Sequence, residues 1–176
     1  MTKPRVATVW LDGCSGCHMS LVDLDERLLD IFSRADLVYG PLVDIKDFPE
    51  NVDVCLVEGA VSSGDDLERI VTVRERTKVL IAFGDCAVTS NVPGMRNPIG
   101  PGPLLDRAYL ENATLNRMVP DRIVPKLLAT SQAVNRFVDV DIFLPGCPPS
   151  ADIIYTLLDD LLSGRTPEVA GARFGR

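Results

Sequence analysis

The chain has 176 residues, 46% of them apolar, enough to bury one core and hardly two, so residues 1–176 are expected to form a single domain. The formal charge is −7 and the 18 Lys and Arg residues are scattered without a basic cluster or interleaved aromatics, which argues against a nucleic-acid binder. No apolar run reaches the roughly 20 residues a bilayer helix needs, and MTKPRVATVWL enters a strand-like pattern without a signal-peptide layout, so no membrane association and a cytoplasmic location are expected.

VATVWL (Val6 to Leu11) reads as a first strand. From Leu21 the apolar period becomes helical, with Leu21, Leu24, Leu28 and Phe32 on one stripe and Asp23, Glu26, Arg27 and Asp30 largely off it. Leu37 to Gly40 suggests a short second strand and VDVCLVEG (Val52 to Gly59) a third. Ser63 is positioned to cap a helix whose first turn holds Asp65 and Asp66, where carboxylates suit the positive end of the dipole. KVLIAFG (Lys78 to Gly84) is a continuous apolar run of the kind found in strands covered on both faces.

The stretch from Asn91 to Pro103 is so rich in proline and glycine that a loop is expected, followed by one or two short helices within Leu104 to Arg136. Val138 to Gly146 reads as a last strand, leading into a helix started by proline and stopped by Gly164. Residues 165–176 form a tail that packs on the body or stays loose. Strands alternating with helices, each strand nearly all apolar, predict an α/β fold: a doubly wound, mostly parallel, flavodoxin-like sheet with helices on both faces.

Four of these strand ends look alike: WLDGC, LVEG, AFGDC and LPGC. In a parallel sheet they share one edge, where ligands collect, so Cys14, Cys17, Cys86 and Cys147 are expected to converge there. Five cysteines without an export signal point to metal or redox chemistry rather than a disulfide framework. Three readings fit the spacing. An iron-sulfur cube suits ligands spread over several loops. Structural zinc more often uses two paired knuckles. A thioredoxin-like dithiol leaves Cys86 and Cys147 unexplained.

Cys55, mid-strand among apolar neighbours, reads as core. His18, the only histidine, either bonds to a cluster sulfide or makes an ordinary polar contact. Glu58 closes its strand at the ligand edge and either moves protons, meets a partner or is a solvated carboxylate. Asp12 and Asp85 have the same ambiguity, weighted towards loop geometry. Neither a Gly-x-Gly-x-x-Gly after a strand nor a P-loop is present. FMN is not expected in this chain, because Cys-Ser-Gly-Cys fills the loop its phosphate would use.

Taken together, WLDGCSGCHMS, LVEGAV, AFGDCA and LPGCPPSAD resemble the small subunit of nickel-iron hydrogenases, over roughly Val6 to Leu162. The resemblance implies one 4Fe-4S cluster held by Cys14, Cys17, Cys86 and Cys147, with no catalytic residue in this chain. The quinone oxidoreductase subunit of respiratory complex I shares the fold and the closing GCPP, but its first motif has adjacent cysteines where this chain has Cys-x-x-Cys.

Exported members of the family begin with a twin-arginine signal and add a segment for two further clusters. Lacking both patterns, the chain looks similar to the cytoplasmic, NAD-reducing type. That resemblance implies a large-subunit partner holding the Ni-Fe centre and diaphorase subunits binding FMN, NAD and further iron-sulfur clusters. A quinone-linked or membrane-linked complex subunit and a zinc-stabilised assembly subunit are the alternatives. Many family members carry Glu just before the first motif cysteine, where this chain has Gly13. The segment from Asn91 to Pro103 is the candidate contact with the large subunit.

Overall fold

The computed structural model describes residues 2–169 and 171–175. In chain order its elements are β1 (Arg5–Trp10), α1 (Gly16–Val22), α2 (Arg27–Arg34), β2 (Asp36–Tyr39), β3 (Val52–Glu58), β4 (Val61–Ser63), α3 (Gly64–Glu75), β5 (Thr77–Phe83), α4 (Asp85–Thr89), α5 (Asn91–Gly94), α6 (Pro101–Asp106), a π-helical turn (Arg107–Glu111), β6 (Leu127–Gln132), a 3-10 turn (Val134–Arg136), β7 (Ile142–Leu144) and α7 (Ala151–Leu162).

Strands β1, β2, β3, β5 and β7 form one all-parallel sheet in the order β2-β1-β3-β5-β7. Counted among themselves these strands run 2-1-3-4-5, the flavodoxin-like doubly wound order expected from the sequence. The period of two places alternate side chains in two separate cores. Val54, Leu56, Ile81, Phe83 and Leu144 meet Leu21, Leu24, Ile31, Ile154, Leu157 and Leu158 of the α1, α2 and α7 layer. Cys55, Val57, Leu80 and Ala82 meet Ile70, Val73 and Ala87 of α3 and α4 on the other face. Cys55 is fully buried there, as its apolar flanks imply.

The helix expected from Leu21 starts earlier, at Gly16 inside the first cysteine motif, and is split into α1 and α2, with Asp25 at positive φ between them. Ser63 caps α3 as expected, accepting from Asp66 N while Asp66 reaches back to the Ser63 N–H. Helix α7 begins after Ser150, whose hydroxyl accepts from Ile153 N, and it stops before Gly164 at φ 69°.

Three expectations need correction. The proline-rich stretch from Asn91 to Pro103 is not all loop: it holds α5 and the start of α6, because Pro101 sits in a first turn where its missing N–H costs nothing. Residues 104–136 contain, besides helical turns, the strand β6, which pairs antiparallel with β4 in a separate two-stranded ribbon. Its sequence LLATSQ hides the strand, since the residue it buries is Ser131 rather than an apolar one. The last strand shrinks to Ile142–Leu144, because Asp141 ends the ladder by accepting from Leu80 N through its side chain at 2.7 Å. The tail packs on the body: Val169 and Ala172 lie against the α7 core.

No helix among the described residues is long and apolar enough to cross a membrane. Leu157, with no exposed surface, carries the contact of α7 with the sheet. Leu157→Ala should destabilise the protein by about 2–5 kcal/mol in urea unfolding. Leu29→Ala, at a position 75% exposed, should stay within about 0.5 kcal/mol of the parent.

Candidate metal centre

The loop after β1 is fixed before its first cysteine. Leu11 N donates to Glu58 O at 2.8 Å, and Asp12 and Ala60 exchange backbone hydrogen bonds of 3.1 and 2.8 Å, an isolated antiparallel bridge. Asp12 thus acts through its backbone. The approach is so close that a Cβ on Gly59, at φ 93°, would lie 2.8 Å from Leu11 C, and one on Gly13 would lie 3.1 Å from Gly59 Cα. Gly13 therefore sits where a longer side chain would crowd the end of β3.

The loops after β5 and β7 are tied to each other. Gly84 N donates to Leu144 O at 2.8 Å, Asp85 N to Gly146 O at 2.9 Å, and Gly146 N to Asp85 Oδ1 at 2.6 Å. The other oxygen of the buried Asp85 accepts from Gly175 N at 2.7 Å, so this carboxylate also holds the tail. Ser20 Oγ donates to Pro149 O at 2.5 Å, linking α1 to the GCPP loop, in which the Cys147–Pro148 peptide is cis.

These restraints bring the four expected cysteines together. Cys14, Cys17, Cys86 and Cys147 line one partly open cleft with Glu58 and Asp85. Its volume, about 70 Å³, is several times the roughly 10–15 Å³ that one water requires. Cys17 is buried, Cys86 half-buried, and Cys14 and Cys147 are exposed. Burial pushes the Cys17 thiol well above its ordinary value, and Glu58 and the other three thiols push it further. Burial also raises Cys86, against a hydrogen bond from the Val92 N–H. Gly16 N donates to Cys14 Sγ at 3.4 Å and Asn91 Nδ2 to Cys147 Sγ at 3.6 Å.

Glu58 and His18 form a buried pair at the rim of this cleft. Glu58 Oε2 accepts from the His18 backbone N at 3.0 Å and meets Nδ1 of its ring. The ring lies edge-on to Phe83, 6.2 Å between centroids, and its Nε2 has no protein partner. A solvated Glu58 is thereby overturned, since only 1% of its surface is exposed. Sequence reasoning named Asn91 only as the start of the candidate large-subunit contact and gave Ser20 no role. The AFGDC and NVPG segments held the first of these in plain view, but nothing in their spacing points to a sulfur.

The chain is also similar to known proteins. The family model described as NADH ubiquinone oxidoreductase, 20 Kd subunit, matches residues 14–161. The chain belongs to that family. It is 40% identical over 93% of its length to the delta subunit of the NAD-reducing hydrogenase HoxS of Cupriavidus necator, covering 80% of that protein. Over 94% of its length it is 36% identical to a subunit of the F420-non-reducing hydrogenase vhu of Methanocaldococcus jannaschii. It spans 56–59% of the length of that protein and of the other F420-non-reducing hydrogenase subunits it matches, of which the one from Archaeoglobus profundus is named an iron-sulfur subunit. Its fold superposes on a chain of the crystal structure of NAD+-reducing NiFe-hydrogenase in the H2-reduced state, with a TM-score of 0.91, 38% identity and 95% of each chain covered.

The tightest packing in the centre is at Gly84, where φ is 84° and a Cβ would lie 2.2 Å from Cys17 Sγ. Gly84→Ala should cost about 1–3 kcal/mol from backbone strain alone, and it should expose Cys17 to thiol reagents. Gly102→Ala, with nothing within 4 Å of its Cβ and a place inside α6, serves as the control and should neither lower the melting temperature nor change thiol labelling.

Proposed function

We propose that this chain is the electron-relay small subunit of a soluble nickel-iron hydrogenase, holding one 4Fe-4S cluster with Cys14, Cys17, Cys86 and Cys147. The observation that carries the reading is the convergence of four thiols, from three strand-end loops, on one cleft. The size of the cleft favours a cluster over a lone zinc ion, since it has room for several atoms. The NAD-reducing relatives extend the reading to electron flow between a large subunit with the Ni-Fe site and a diaphorase module binding FMN and NAD, in the overall reaction of H2 with NAD+ to give NADH and H+.

When bound, a cluster of this kind accepts and releases single electrons at a potential set by its surroundings. The work of the chain is to define those surroundings. The thiols must lose their protons to become ligands, against the burial that raises Cys17 and Cys86. The Asp85 clamp keeps the Cys86 and Cys147 loops in register, while the Glu58–His18 pair locks the start of α1 beside Cys17. Burial of Cys17 excludes water from one side, and exposure of Cys14 and Cys147 leaves the other open to a partner. Val92, Met95 and Ile99 are exposed apolar side chains of the Asn91–Pro103 segment and suit the contact with a large subunit assigned to it.

Elemental analysis of the anaerobically purified chain should find about four irons and four labile sulfides per chain. Cys86→Ala and Cys147→Ala should each abolish the cluster, whereas Cys55→Ala should leave the EPR signal of the reduced protein unchanged. Zinc in place of iron would leave only an assembly module. Subunits that co-purify, identified by mass spectrometry, separate a diaphorase-linked complex from a quinone-linked one.

A further inference from the structure

One short turn reaches a thiol of the cleft from outside the four cysteine motifs. Ser90 is in left-handed backbone, φ 66°, and turns the chain so that α5 starts beside the cleft. Asn91 Nδ2 donates to Cys147 Sγ at 3.6 Å. Cys147 follows β7 whereas this turn follows α4, so the contact ties two separate loops of the cleft together.

That turn is itself held in place by the β4–β6 ribbon. The buried hydroxyls of Ser62, Ser131 and Ser90 form a chain, 2.7 Å and 2.9 Å between successive oxygens. Asn97 pairs with the Ser131 backbone in both directions, donating to its carbonyl at 2.8 Å and accepting from its N–H at 2.7 Å. Arg96 reaches the carbonyls of Ser62 and Leu128 at 3.0 and 3.1 Å. Every one of these partners outside the turn lies on β4 or β6, which make no ladder with the parallel sheet.

We propose that Asn91 is a positioning residue of the metal centre, its side-chain amide holding the Cys147 thiolate and raising the reduction potential, with the β4–β6 ribbon keeping that amide in place. The physical basis is electrostatic. A donor aimed at a ligand sulfur stabilises negative charge there, and the reduced centre carries one negative charge more than the oxidised one. An amide supplies the donor without a charge of its own, whatever the pH. Partners outside the ligand set commonly orient and tune a metal in this way.

The inference rests on the cluster reading, and an EPR-monitored redox titration of the full chain with its co-purifying subunits tests it separately. Asn91→Ala should retain its iron and sulfide yet titrate at lower potential, with a several-fold higher ratio of oxidised to reduced cluster at a fixed potential; tenfold corresponds to about 59 mV for one electron. Ser131→Ala should shift the midpoint the same way by less, and Asn91→Gln, which keeps an amide, should recover part of the loss. Full iron with an unmoved midpoint in Asn91→Ala overturns the proposal and leaves the cluster reading intact. If Asn91→Ala loses iron, Asn91→Gln decides: recovery of iron and midpoint supports the role, and failure to recover either overturns it. A parent chain without iron overturns the cluster reading instead.

Discussion

Parallel strands all end at the same rim, and this geometric fact organises the molecule. Cys14, Cys86 and Cys147 each follow a different strand, so the hydrogen-bonded register of β1, β3, β5 and β7 determines where their sulfurs lie. Both faces of the sheet must be covered for such a register to persist, which is why the strands are apolar on both sides and the helices divide into two layers. The glycine-rich strand ends then let neighbouring loops approach to backbone contact, as Gly59 does with Leu11 and Asp12.

Much of this was legible because the signals were periodic or repeated. The apolar runs, the similar strand ends and the cysteines after them indicate the sheet, its edge and the four thiols. What stayed hidden is polar. Ser62 and Ser131 face inward on β4 and β6, so the ribbon they form lacks the alternation that marks a half-buried strand. Glu58 and His18 lie 40 residues apart, and only the fold shows that each is the other's buried partner. Proline density suggested a loop from Asn91 to Pro103, yet a proline in the first turn of α6 is compatible with helix.

The centre has two unlike sides. On one, Cys17 sits beneath Gly84 and beside the Glu58–His18 pair, shielded from water. On the other, Cys14 and Cys147 reach the surface. A buried side lets fixed dipoles dominate the local field, and an open one gives a partner close access. Asp85 serves the two together, because one carboxylate clamps the β7 loop and also receives the tail.

That double grip of Asp85 bears on how the protein is made. Its partners Gly146 and Gly175 both leave the ribosome long after Asp85 itself, and Cys147 emerges with the first of them. Early strands can pair while synthesis continues, but the fourth sulfur and Gly175 are made only after β5 and the β4–β6 ribbon. Cys14, Cys17 and Cys86 are all made before β7, so three of the four thiols wait on the strand that delivers the last one and closes the cleft.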